Sequence, residues 1–433
     1  PSPQRLTTMK PLHILAAVRT PFARAGTDLA GLDAVELGRA ATTALLARSG
    51  IDPQVIDEVI FGCVGQPAHA QNVARVIALR SGIPESRPAM TVHRNCASGL
   101  EALATAHAKL CAGQGEVFLV GGTESMSNLP LQFPRRAMAK FAALAGARRP
   151  DRRLAALAAF RPADFAPVAA LRLGLTDPVV EMNMGETAEL LAREFQISRE
   201  AQDAFALRSH QHALAAAELR RGEIAPLYLA DHGFQPVLDD NGIRADTRPD
   251  KLARLRPLFD RDHGSVTAGN SSQVSDGAVA LLVAGDAAVA RHGWQPLGRF
   301  SAYACTGCDP RRMGLGPVRA LDALLHRTGL RLDQADVIEL NEAFAAQVLA
   351  VLQCLKEPAS ARRAGLDGPL GEIAEEQLNP RGGAIALGHP VGASGARLAL
   401  SALDQLRHRG GHRALVSLCV GGGQGAAALF ERD

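Results

Sequence analysis

Short apolar runs ending in glycine or a polar turn alternate along this chain with alanine-rich stretches of helical length. The runs are HILAAV (13–18), EVIFGCV (58–64), EVFLVGG (116–122), VALLVAG (279–285), VIELN (337–341) and RALVSLCVGGG (413–423). Between them lie amphipathic stretches at 33–48, 97–112, 187–219, 317–328 and 392–409. Strand-like runs alternating with helix-length segments predict α/β architecture with buried, largely parallel sheets. Runs that end on glycine recur at 116–122, 279–285 and 413–423. That recurrence predicts two related halves rather than a short-period repeat.

Length changes this picture little: 433 residues correspond to two to three domains. A 47% hydrophobic and 21% charged composition excludes a wholly disordered chain. No uncharged apolar run reaches about 18 residues, so no transmembrane helix is expected. A net charge of +3 and 4% aromatic residues give no basis for nucleic-acid binding. The 42 arginines against 5 lysines read as coding bias, because the arginines cluster in only one place. That place is 133–177, rich in Arg and Pro and poor in acid, with small apolar residues between the charges. It reads as an inserted helical segment, with an amphipathic basic surface for acidic ligands, a membrane or a partner chain as its functional reading. Seven dispersed cysteines do not resemble a disulfide scaffold and point to a reducing, cytoplasmic compartment. The opening PSPQRLTTMK has no apolar segment of the secretory kind.

The chemistry gathers at the ends of the apolar runs. Cys96, in VHRNCASGLEAL, opens a helix-like stretch, where backbone N–H groups and the helix dipole favour a thiolate. His389 lies in NPRGGAIALGHPVGASGAR, whose glycines imply tight turns and close approach, and a histidine there can take a proton from a thiol. Cys419 ends the run RALVSLCV before three glycines and is a candidate second acid/base. Asn341 and Glu342 follow VIEL, and an Asn in such a place can orient water or donate to an oxyanion.

The sequence resembles a thiolase over nearly its whole length. The resemblance is carried by RTPFAR (19–24), NCASGLEA (95–102), GGTESMS (121–127), MGETAE (184–189), HGSVTAGNSSQVSDGA (263–278), MGLGP (313–317), NEAFAAQ (341–347), GGAIALGHPVGASGAR (382–397) and CVGGGQGAA (419–427). The insertion and ISREAQDAFALRSHQHA (197–213) are most similar to the thiolase β-subunit of fatty-acid oxidation trifunctional complexes. The resemblance implies an α/β thiolase fold of two related halves, layered α-β-α-β-α, with an inserted loop domain. Residues 1–129 and 178–285 would form the first half, with part of the loop domain near 184–260. Residues 130–177 would be the basic insertion and 286–433 the second half.

By the same resemblance, Cys96 attacks the 3-keto carbon of a 3-ketoacyl-CoA and His389 activates it. Cys419 protonates the departing acetyl-CoA enolate. Asn341, through a water, and His389 would form one oxyanion hole, and the N–H groups of Cys96 and Gly421 the other. Ser272 and Met184 would contact the CoA substrate. No permanent cofactor or metal is implied, and coenzyme A is a co-substrate. Expected partners are a second copy in a homodimer or tetramer, a hydratase/dehydrogenase α-subunit, and a membrane surface met through 133–177.

Two departures keep chain length open. Asn183 stands where biosynthetic acetoacetyl-CoA thiolases have a His, and Asn341 where trifunctional relatives often have one. A biosynthetic acetyl-CoA acetyltransferase is therefore the nearest alternative, and a docking subunit the alternative of another class. A ketoacyl synthase would lack Cys419. The Cys305–Cys308 pair lacks a second pair for zinc and reads as incidental. Cys63, Cys111 and Cys354 read as core, His93 as a packed or hydrogen-bonded residue, and GGTESMS as a tight turn near the site.

Overall fold

The computed structural model describes residues 10–229 and 233–433. Its main strands are β1 (Leu12–Arg19), β2 (Glu58–Gly62), β3 (Ala89–Val92), β4 (Val117–Ser125), β5 (Ser275–Gly285), β6 (Gly298–Gly307), β7 (Val337–Leu340), β8 (Arg413–Val420) and β9 (Gln424–Glu431). The principal helices are α1 (Ala34–Ser49), α2 (Val73–Arg80), α3 (Ser98–Cys111), α4 (Arg135–Gly146), α5 (Pro150–Ala158), α6 (Met184–Glu194), α7 (Arg199–Ala215), α8 (Gly316–Thr328), α9 (Ala345–Lys356) and α10 (Val391–Arg409).

The strands run β7-β8-β9-β6-β1-β5-β4-β2-β3 across one mixed sheet. Its middle is thin: β1 and β6 share only the pairs Leu12–Phe300, His13–Arg299 and Ile14–Gly298. On either side the same pattern repeats. β2 and β4 are parallel, with β4–β5 and β5–β1 antiparallel. Correspondingly, β7 and β8 are parallel, with β8–β9 and β9–β6 antiparallel. The sheet is thus mixed, not largely parallel as its apolar runs suggest.

Burial on both faces explains the runs. Along β2, Val59 and Phe61 enter one core while Ile60 enters another, as the two-residue period of a strand requires. Three cores result. One lies under α1 and α2 (Val35, Leu45, Ile77), one around the central α3 and α10 (Leu100, Leu103, Leu403), and one under α8 and α9 (Leu321, Val348, Val351). Helices therefore cover both outer faces and fill the middle, giving the α-β-α-β-α layering.

The central helices touch through glycine. A Cβ on Gly99 would stand 2.7 Å from the Ala396 nitrogen, and one on Gly395 2.6 Å from the Leu100 nitrogen. Only glycine lets the two backbones approach so closely. Cys96 lies two residues before α3 and His389 two residues before α10, so the paired N-terminal ends carry both.

Other expectations shift in detail. The stretch 187–219 is not continuous: α6 ends near Glu194, Gln196 has a φ of 54°, and Ser198 caps α7 by accepting from the Ala201 N–H. Cys63 and Cys354 are buried, but Cys111, the last residue of α3, is exposed. The insertion is a hairpin of α4 and α5, closed at its base by Leu131–Ala169 and Gln132–Val168 pairing. No helix among the described residues is long and apolar enough to cross a membrane.

Candidate active site

A strained turn presents Cys96. Asn95 has a φ of 43°, in the left-handed region that Asn tolerates better than most residues. The Ser98 hydroxyl fastens this turn, accepting from the Arg94 N–H at 2.9 Å and donating to the Asn95 carbonyl at 2.7 Å. Asn95 Nδ2 donates to the Gly421 carbonyl at 2.7 Å, tying the turn to the glycines after β8. The N–H groups of Gly421 and of Cys96 itself lie near enough to the Cys96 sulfur to favour its charged form. Gly422 and Gly423, with φ of 88° and 76°, make this tight connection to β9 possible.

Local helix chemistry does not decide the state of this thiol. Burial pushes the Cys96 pKa above its ordinary value, and the two N–H groups pull only partly the other way. The thiolate expected from a helix N-terminus is therefore not the resting form. Cys419 is buried beside Met313, Ala343, Met184 and Phe344, and burial together with the neighbouring Cys96 sulfur drives its pKa up as well. Both cysteines rest as thiols.

His389 is buried, and its backbone N–H donates to the Gln273 carbonyl at 3.1 Å. Its Nδ1 lies 2.6 Å from the Ser394 hydroxyl, which donates its proton to the Pro390 carbonyl at 2.9 Å. A hydroxyl has one proton, so Ser394 must accept from Nδ1–H. That network assigns the lone pair to Nε2, which meets no protein partner among the described residues. Burial, helped by the Arg397 charge, lowers the His389 pKa from 6.5 to about 4, so the imidazole is neutral and ready to accept a proton.

Asn341 extends β7, its N–H donating to the Ser417 carbonyl at 2.9 Å, which places it beside the Cys419 strand. Neither its Nδ2 nor its Oδ1 meets a protein partner among the described residues, although the residue is wholly buried. The 270–275 segment joins these pieces: Ser272 N–H donates to the Ala343 carbonyl at 2.9 Å, and Gln273 holds His389 as above. Cys419 thus lies near Cys96 on the strand that runs into Gly421, which Asn95 ties to the Cys96 turn, while Asn341, His389 and Ser272 are joined by short backbone links.

A family model described as "Thiolase, N-terminal domain" matches residues 12–287, and one described as "Thiolase, C-terminal domain" matches residues 294–432. The chain belongs to the thiolase family. A 3-ketoacyl-CoA thiolase of Yersinia enterocolitica is 38% identical over 424 residues, 97% of this chain and 96% of the relative. Human mitochondrial 3-ketoacyl-CoA thiolase in complex with CoA superposes with a TM-score of 0.84 at 36% identity, covering 98% of this chain and 99% of that one. The Bacillus anthracis acetyl-CoA acetyltransferase gives a TM-score of 0.85 at 34% identity, covering 98% and 99%.

Within this thiolase the remaining candidates divide. Met184 opens α6 with its sulfur 3.4 Å from where a Gly421 Cβ would stand, so it faces the cysteines. Ser272 is half-buried on the segment that holds His389. His93 is exposed and accepts from the Asn95 N–H at 3.4 Å. Cys305 lies 3.3 Å from the Arg94 guanidinium, and Cys308 turns toward the Arg312 carbonyl. Sequence reasoning missed Asn95 and Ser394. The first had a signal in its place just before Cys96, but the second shows its part only in the folded loop.

The neutral imidazole has a kinetic consequence. A group with a pKa of about 4 is protonated, and useless as a base, only below that pH. The acid limb of kcat/KM for free enzyme is expected near pH 4 rather than near 6.5. A pH–rate profile of the Glu124→Gln variant checks it, because burial raises the Glu124 carboxyl beside the His389 loop to about 7 and its protonation would add a limb of its own. A limb at 6.5 that persists in that variant would contradict the buried environment.

Proposed function

We propose that this thiolase cleaves 3-ketoacyl-CoA with coenzyme A in the degradative direction. What supports this reading is a neutral His389, its Nε2 unpartnered among the described residues, just ahead of α10; that helix packs through Gly395 against α3, which Cys96 precedes. Nε2 takes the Cys96 proton as Sγ attacks C3 of the substrate. The N–H groups of Cys96 and Gly421 stabilise the resulting oxyanion. The C2–C3 bond then breaks, leaving an acyl thioester on Cys96. Its electron pair passes into the acetyl-CoA enolate, whose oxygen is met by a water held on Asn341 and by the now protonated His389. The Cys419 S–H protonates C2 and acetyl-CoA departs. A second CoA gives its thiol proton to the Cys419 thiolate and attacks the thioester. Acyl-CoA leaves, and Cys96 recovers its proton from His389. Ser272 and Met184 are assigned to substrate contact, and CoA is a substrate rather than a resident cofactor.

Asn183 supports the degradative direction over acetoacetyl-CoA synthesis. Its side chain is spent on capping α6, accepting from the Gly185 N–H at 3.0 Å, while Glu186 returns to the Asn183 N–H at 2.6 Å. Purified protein given 3-ketoacyl-CoA esters and CoA should release acetyl-CoA and the shortened acyl-CoA in equal amounts. Activity confined to acetoacetyl-CoA would instead favour the biosynthetic enzyme. Free thiols at Cys96 and Cys419 require a reducing compartment, and we assign the cytoplasm. The division at 129/130, 177/178 and 285/286 is likewise ours, supported by the repeated strand order. A homo-oligomer is supported by β3, an edge strand that leads straight to Cys96.

We assign the inserted hairpin to docking on an anionic membrane surface. It has its own small core, with the Phe141 ring packed at a tilt between Phe133 and Phe160 at 5.0 and 4.9 Å. Asp164 staples it by accepting from Arg136 and Lys140. Met138, Leu154, Leu157 and Phe165 nevertheless stay exposed among the arginines. Because Gln132 and Val168 are paired, removing 133–167 leaves ends that a short glycine linker can join. The shortened protein should keep thiolysis and lose co-sedimentation with anionic vesicles. Unchanged vesicle binding would contradict the assignment. Hairpin-dependent association with a hydratase/dehydrogenase α-subunit instead would make that chain the occupant.

A further inference from the structure

Two buried carboxylates outside the steps above grip the His389 loop from both sides. Glu342, directly after Asn341, is 1% exposed. It accepts from the Ser209 hydroxyl at 2.6 Å, Asn379 Nδ2 at 2.8 Å and the Ile385 N–H at 3.2 Å. Ser209 in turn accepts from the Gly383 N–H at 3.1 Å. The Gly383 backbone lies so close that a Cβ there would stand 2.2 Å from the Glu342 carboxyl carbon. Glu342 and Ser209 thus hold the chain just ahead of His389.

Glu124, near the end of β4, is also 1% exposed and holds the chain just after it. Its Oε2 accepts from the Gly392 N–H at 2.8 Å and the Val64 N–H at 3.2 Å, and its Oε1 from the Gly65 N–H at 2.7 Å. Gly392 sits in the first turn of α10, whose Pro390 cap supplies no side-chain acceptor. Glu124 therefore does from another strand what a capping residue does locally. Neither acid has a cationic side chain within ion-pair distance among the described residues. Each is compensated by N–H and O–H donors alone, all aimed at carboxylate oxygens.

We propose that Glu124 and Glu342 are positioning residues, one from each half of the fold, that fix the His389 imidazole relative to Cys96 and Asn341. The proposal rests on the reading of His389 as the base for Cys96. A carboxylate is required because every partner is a donor, and in Glu124 the Gly65, Gly392 and Val64 N–H groups hold the ionised form against burial, which still pushes its pKa up to about 7. A glutamine would turn its own N–H₂ toward an N–H or hydroxyl donor and lose at least one bond on that side. The loop would then relax, and misplacement of a reacting group by about 1 Å can cost on the order of 100-fold.

Glu124→Gln and Glu342→Gln should each lower the single-turnover rate of Cys96 acylation by about 10- to 100-fold with KM for CoA unchanged. Ser209→Ala, a milder change, should lower it a few-fold. The decisive readout is non-additivity: in a His389→Ala background the same changes should cost nothing further. Full acylation rates in all three variants would overturn the proposal, as would an undiminished extra loss in the His389→Ala background, which would mark a merely structural role. If His389→Ala alone kept its rate, the failure would lie with the base assignment instead.

Discussion

Replacing Cys96 by serine should lower kcat for thiolysis by about 10⁴-fold or more while substrate binding persists. The cause is a mismatch of acid and base. His389 is a weak base, its pKa held near 4 by burial and Arg397, and it can take a proton from a thiol far more readily than from a hydroxyl. The Cys96 thiol is itself pushed up by burial, so the proton transfer is already uphill and depends on the Gly421 and Cys96 N–H groups that receive the sulfur. A hydroxyl adds several pKa units to that climb, each worth about 1.4 kcal/mol. Binding should survive because the CoA contact proposed for Ser272 lies on another segment. Calorimetric titration with CoA, alongside thiolysis kinetics, separates the two effects. Full turnover by the serine variant would remove Cys96 from the mechanism.

The second large effect separates the two remaining proton carriers. Cys419→Ala should abolish C2–C3 cleavage by about 10³-fold or more, because the enolate then has no buried acid to protonate it. Exchange of labelled CoA into a saturated acyl-CoA needs no carbanion at C2, and Cys419→Ala should retain part of it. His389→Ala should lose both activities, since every route begins by activating Cys96. This contrast follows from the geometry: Cys419 lies in an apolar cluster beside the nucleophile, whereas His389 is held by Ser394 with only Nε2 free. Equal loss of exchange and cleavage in Cys419→Ala would show that the second thiol serves the first rather than the enolate.

The candidate site residues could be picked out because each closes an apolar run or opens a helix beside glycines, and such positions are local. The two-half organisation was legible for the same reason. Strand direction was not. All eleven residues of β5 are buried although both its neighbours are antiparallel, so a continuous apolar run reports cover on two faces rather than parallel pairing. The helix-terminus argument for a Cys96 thiolate is local, whereas the packing around the half-buried Cys96 that opposes it is tertiary. Cys111 looked like core from its apolar neighbours, yet it ends α3 where the helix emerges into solvent. Glu124 lies in GGTESMS, which read as a tight turn, but 121–125 continue β4, and the partners that give Glu124 its part, Gly65 and Gly392, are 59 and 268 residues away along the chain.

The central claim is that Cys96 carries the acyl group between the two CoA molecules. Intact-protein mass spectrometry after mixing with a 3-ketoacyl-CoA, with free CoA withheld, tests it most directly. The expected result is a mass increase equal to the shortened acyl group, mapped to the peptide containing Cys96 and discharged as acyl-CoA when CoA is added. An adduct on Cys419, or turnover with no adduct on Cys96 at any time, would contradict it.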